Sequence, residues 1–184
     1  MKKILFFGDS LTAGYGLSNP QTQSLPSLLA QMARSEGTPF TYTNAGISGD
    51  TTSSARLRLP KLLALSYDIY VVALGANDML RGQSATTISR NLEEIINQLT
   101  KANPTAKILL LSMELPVWIT ASRASQYRDV YCKLADKFSL AFLPFLLEGV
   151  IGVRELNLPD LVHPNAQGYQ QIAKRVWPLL QFMC

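Results

Sequence analysis

Ile4-Leu5-Phe6-Phe7, followed at once by Gly8-Asp9-Ser10-Leu11, decides how this chain of 184 residues reads. Four consecutive apolar residues show no alternation, as in a strand buried on both faces, and the run stops at residue types suited to a turn or a helix start. Outward from it, short apolar, β-branched or aromatic runs recur at Phe40 to Thr43, Asp68 to Leu74, Lys107 to Met113 and Leu140 to Pro144. Between them lie longer stretches of helical period. Leu25, Leu28, Leu29 and Met32 form one apolar face closed by Gly37, and Thr51 to Leu65 holds a second helix. Ser84 caps a third, whose inner face is Ile88, Leu92, Ile95, Ile96 and Leu99 and which Asn103-Pro104 ends. Tyr127, Val130, Tyr131, Leu134 and Phe138 mark a fourth. The last opens near Pro164, turns Tyr169, Ile172, Val176 and Leu179 inward, and is expected to end or kink at Pro178. Strands alternating with helices predict an α/β fold, a five-stranded parallel sheet covered on both faces, in three α/β/α layers. With no repeat, low-complexity tract or Gly/Ser linker, residues 1–184 are expected to form a single domain.

Composition narrows the function classes. The chain is 47% hydrophobic and 16% charged, with net charge +4, and its 17 Lys and Arg are scattered rather than clustered, so nucleic acid is not an expected partner. Two cysteines, Cys132 in a helical pattern that reads as packing and Cys184 at the end, supply neither a disulfide framework nor a multi-thiolate metal site. A single histidine excludes the two-histidine zinc motifs, and any histidine base is His163. The apolar run after Met1-Lys2-Lys3 is too short for a signal-peptide core, and Phe138 to Val153 is too short and too broken to span a membrane. As written the sequence reads as cytoplasmic, without stable membrane insertion, or as periplasmic or secreted if a leader has been lost. It leaves the oligomeric state open.

In a parallel sheet of this kind every strand's carboxyl end lies at one edge, and ligands bind there. The strand ends read Gly8-Asp9-Ser10-Leu11, then Asn44-Ala45-Gly46-Ile47-Ser48-Gly49-Asp50, then Gly75-Ala76-Asn77-Asp78, while the last loop carries Asp160-Leu161-Val162-His163-Pro164. A serine hydroxyl becomes a nucleophile when an imidazole takes its proton and a carboxylate holds the imidazole's tautomer, roles that Ser10, His163 and Asp160 can fill. The oxyanion that such an attack creates needs donors already in place; the candidates are the Gly49 N–H, the Asn77 amide and the Ser10 N–H. Each segment alone also reads as a plain turn or helix start; their joint occurrence at successive strand ends points to one site. Gly46-Ile47-Ser48-Gly49 approaches a nucleophile elbow, but Asp50 stands where that pattern needs Gly, which places Ser48 behind Ser10. Met79, Leu80, Trp118, Leu147 and Leu161 are candidates to line an acyl pocket. The stretches Leu115 to Ser125 and Gly149 to Val162 follow neither period and read as lids or binding loops.

The sequence resembles the GDSL or SGNH hydrolase family, in particular its short bacterial arylesterase, thioesterase and lysophospholipase branch. The likeness runs through nearly the whole chain in four ordered blocks: Gly8 to Tyr15, Asn44 to Thr52, Gly75-Ala76-Asn77-Asp78, and Asp160 to Asn165. It implies Ser10 as nucleophile, Asp160 and His163 as the other triad members, Gly49 and Asn77 as oxyanion donors beside the Ser10 N–H, the SGNH hydrolase fold with its flavodoxin-like sheet, and no metal or organic cofactor. Two places depart from the family: Leu161 stands where Gly is common, and Val117-Trp118-Ile119-Thr120-Ala121-Ser122 replaces an Asn-Tyr-Gly-like loop, which leaves chain-length and head-group preference open. The expected activity is hydrolysis of esters or thioesters with small to medium acyl chains through an acyl-enzyme. The rivals are a carbohydrate O-acetyl esterase and a non-catalytic flavodoxin-like ligand-binding module.

Overall fold

A computed structural model describes residues 1–115 and 124–184. Its sheet begins with β1 (Lys3–Gly8), in which Ile4 to Phe7 are buried throughout, as an unbroken apolar run requires. Two short helices follow, α1 (Ser10–Ala13) and α2 (Pro20–Gln23), then α3 (Leu25–Ser35), β2 (Thr41–Gly46), α4 (Thr52–Leu62), β3 (Ile69–Ala73), α5 (Ala76–Leu80), α6 (Ala85–Ala102) and β4 (Lys107–Leu111). After residues 116–123 come α7 (Ala124–Phe138), β5 (Ala141–Leu143), a 3₁₀ turn at Arg154–Leu156 and α8 (Ala166–Gln181). All neighbouring strands pair in parallel, in the order β2-β1-β3-β4-β5, which is the flavodoxin-like order. Helices α3 and α8 pack together on one face, while α4, α6 and α7 pack in succession on the other.

The five expected strands are present, with ends shifted by up to three residues, most of all in β2. Asn44-Ala45-Gly46, expected in a loop, belongs to β2, because these residues continue the ladder opposite Phe6, Phe7 and Gly8. The short helices α1, α2 and α5 carry no legible period at four or five residues and were not separable from turns. Helix α6 follows expectation closely: Ile88, Leu92, Ile95, Ile96 and Leu99 are fully buried, and Ser84 Oγ accepts the Thr87 N–H. Pro178 does not end α8, which continues to Gln181. Trp177, Leu180 and Met183 are buried around the proline, and Glu36 accepts from both Trp177 Nε1 and Gln181 Nε2 at 2.7 Å, so tertiary contacts hold the last turn. Cys132 is half-buried and unpaired on α7. No helix among the described residues is long and apolar enough to cross a membrane.

The chain direction reverses between β1 and β3: from β1 it moves outward to β2, then returns past β1 and proceeds to β4 and β5. Strands that part in this way leave a crevice beyond their carboxyl ends. Ser10 follows β1 and Asn77 follows β3, so both flank that crevice.

Candidate active site

Asp9 caps α1, its Oδ1 accepting the Leu11 N–H at 3.0 Å, and this starts a single helical turn with Ser10 as its first residue. The side chain of Ser10 thereby lies at the sheet edge, 8% exposed. Its Oγ is 3.0 Å from His163 Nε2, although 153 residues separate the two. On the other side of the imidazole, Nδ1 is 2.7 Å from Asp160 Oδ2. Asp160 Oδ1 accepts the Val162 and His163 N–H groups, both at 2.9 Å, so one turn fixes the carboxylate and the backbone of its imidazole partner together. Partial burial pushes the Asp160 carboxyl up, but these two N–H bonds and the imidazole outweigh it and hold the group below the usual carboxylate range. An ionised carboxylate only accepts, so Nδ1–H donates to it and Nε2 is left to accept from the serine hydroxyl. A hydroxyl so placed can pass its proton to the imidazole as its oxygen attacks an electrophilic carbon.

Asn77 enters from α5. Its Nδ2 donates to the Asp50 carbonyl at 3.0 Å and approaches Asp9 Oδ2 at 3.4 Å. Gly49 adjoins Asp50, at φ +80°, and its N–H meets no acceptor among the described residues. A Cβ at Gly49 would meet only Arg81 Nη2, at 3.8 Å, and the left-handed backbone accounts for the glycine. This loop is fastened from below by Arg58: Nε pairs with Asp50 Oδ2 at 2.7 Å, while Nη2 donates to the Gly8 and Ala45 carbonyls at the ends of β1 and β2. Asp78 accepts from the Thr52 N–H and hydroxyl at 2.8 and 2.6 Å, tying α5 to α4; burial pushes its carboxyl up against those two bonds.

Asp9 is fully buried. Burial pushes its carboxyl up to about 7, the charges of Asp50 and Asp78 add to the effect, and the Leu11 N–H opposes it. Asp9, Asp50, Arg58 and Tyr15 were not singled out from sequence, because their work depends on partners far away along the chain, 68 residues for Asp9 with Asn77 and 50 for Arg58 with Gly8. Tyr15 lies with its ring 4.8 Å from the imidazole of His163. Of the residues expected to line an acyl pocket, Met79 and Leu147 are buried in the core, Leu80 and Leu161 are exposed, and Trp118 falls outside the described residues. Leu161 is one of two non-glycine residues described at positive φ, at +60°, a conformation that favours glycine. Among the described residues no three His, Cys, Asp or Glu side chains are grouped to hold a metal ion.

Comparison with known proteins places this geometry in context. Residues 6–171 match the profile of the GDSL-like Lipase/Acylhydrolase family. The chain is 35% identical to an arylesterase of Vibrio mimicus over 95% of its own length and 86% of that protein's. It is 34% identical to thioesterase 1/protease 1/lysophospholipase L1 of Escherichia coli (strain K12), over 96% of this chain and 84% of that one. The crystal structure of TesA superposes with a TM-score of 0.92 at 33% identity, covering all of both chains.

Proposed function

The chain belongs to the GDSL-like lipase/acylhydrolase family and is an ester-hydrolysing enzyme, and from that premise we propose that it is a serine esterase of one domain, residues 1–184, working through an acyl-enzyme on Ser10. In this reading His163 Nε2 takes the Ser10 hydroxyl proton as Oγ attacks the acyl carbonyl carbon, and Asp160 steadies the imidazolium. The oxyanion is held by the N–H groups of Ser10 and Gly49 and by Asn77 Nδ2, which gives up its long 3.4 Å approach to Asp9 for it. Collapse breaks the bond to the alkoxide or thiolate, which leaves with the proton from His163. Water then attacks the acyl carbon with His163 again as base; collapse breaks the bond to Ser10 Oγ, which takes the proton back from His163, and the carboxylic acid leaves.

The observation that carries this reading is the continuous relay from Ser10 Oγ to His163 at 3.0 Å and on to Asp160 at 2.7 Å, built from two distant segments. The Gly49 loop and Asn77 support it, because both lie at the strand ends that hold the serine. The substrates we assign are esters and thioesters of small to medium acyl chains, in keeping with the arylesterase and thioesterase names of the relatives. Rapid mixing with p-nitrophenyl butyrate tests it. A burst of p-nitrophenol matching the enzyme concentration is expected, abolished in Ser10→Ala and nearly so in His163→Ala. Parental turnover by Ser10→Ala contradicts the assignment.

A further inference from the structure

Tyr15 is half exposed, and among the described residues the one ring it packs against is the imidazole of His163, with centroids 4.8 Å apart and planes tilted by 51°. Its hydroxyl makes no hydrogen bond among the described residues. The backbone nonetheless holds this exposed side chain firmly. The N–H groups of Gly14 and Tyr15 both donate to the Ser10 carbonyl at 3.0 Å, and Gly14 and Gly16, on either side, adopt φ +81° and +75°. Gly16 is pressed against Leu158, since a Cβ there would come within 2.3 Å of Leu158 Cδ1. Leu158 N–H in turn donates to the His163 carbonyl at 2.8 Å. The turn that presents Tyr15 is thus anchored to Ser10 at one end and to the loop of His163 at the other.

We infer that Tyr15 is a positioning residue for His163, its ring limiting rotation of the imidazole and its π face stabilising the imidazolium that forms as Ser10 attacks. The inference rests on the reading of His163 as the base. An aromatic face attracts a cation more than a neutral ring, so the contact strengthens as the proton arrives and lowers the barrier rather than only tightening the resting state. Among the described residues, the titratable groups around the imidazole are Asp160 on its own turn, Tyr15 from the first loop and, behind Ser10, the buried Asp9; Arg154 and Glu155 stand exposed on the preceding turn.

The test measures kcat and KM for p-nitrophenyl butyrate across the acid limb of the pH profile in Tyr15→Leu, Tyr15→Ala and Tyr15→Phe. Leucine covers the imidazole without a π face. It should cost about two- to fivefold in kcat with KM little changed, and should move the midpoint of the acid limb down by about half a pH unit. Alanine, which also frees the imidazole to rotate, should cost roughly tenfold. Phenylalanine should restore both kcat and the acid limb to within about twofold of the parent, because the hydroxyl has no partner among the described residues. The inference is overturned if Tyr15→Leu raises KM at constant kcat, which is a substrate contact, or lowers kcat while the acid limb stays or moves up, which is exclusion of water alone. Ser10→Ala and His163→Ala measured alongside separate the two levels. If these keep parental turnover the triad reading itself fails, whereas if they are inactive and Tyr15→Leu matches the parent, only the role of Tyr15 fails.

Discussion

Asp9→Asn probes a strongly perturbed carboxyl behind the site. The Asp9 carboxyl is fully buried and pushed up to about 7, against an ordinary value of 3.8, so across that interval the folded chain holds a proton that the unfolded chain has released. Stability supplied by the protonated form is therefore fully present below the ordinary carboxylate range and is lost as pH rises towards 7. From pH 5 to 7 the two units, at about 1.4 kcal/mol each, remove about 3 kcal/mol, and from pH 7 to 8 little more is lost. Asparagine cannot ionise, and its Oδ1 can still accept the Leu11 N–H. Urea titrations of both proteins at pH 5 and pH 8 give the relevant quantity, the change with pH of their stability difference. Other titrating groups largely cancel in that difference. The expected result is a shift of about 3 kcal/mol in favour of Asp9→Asn on going from pH 5 to pH 8. A stability difference that is the same at both pH values would refute the reasoning, since Asp9 would then ionise as readily folded as unfolded.

Three further outcomes follow from named contacts. Asn77→Ala should lose on the order of 10²–10³ in kcat in steady-state assays yet keep measurable turnover, because other oxyanion donors remain. Arg58→Met leaves Asp50 with its Ser54 contact but without its cation; unpairing a buried charge of this kind costs about 3 kcal/mol, read as a melting temperature roughly 10 °C lower. Leu161→Gly removes a left-handed leucine at φ +60° at the expense of greater chain entropy, and should raise the melting temperature by about 1–3 °C.

Much of this architecture was legible because the strands are short unbroken apolar runs and α6 and α7 bury regular faces. Residues 44–46 were misplaced because Asn and Gly favour loops locally, whereas pairing with Phe6 to Gly8 is a tertiary effect. Pro178 does not end α8 for the same reason: buried Trp177, Leu180 and Met183 outweigh one lost hydrogen bond. Within the site, Ser10, His163, Asp160, Gly49 and Asn77 stood out because their residue types carry chemistry and sit at strand ends. Arg58 and Asp50 did not, since nothing in their spacing reveals that one guanidinium ties two strand ends to the Gly49 loop. Tyr15 was quoted only as part of a block, and its meeting with His163 depends on two left-handed glycines whose turn a sequence does not trace.

The measurement closest to the central claim is covalent labelling with a fluorophosphonate, followed by peptide mapping of the modified residue. The account predicts one phosphonylated site, Ser10, with labelling sharply slowed in His163→Ala. Modification at Ser48 or any residue other than Ser10, or labelling of Ser10 at the parental rate without His163, would contradict it.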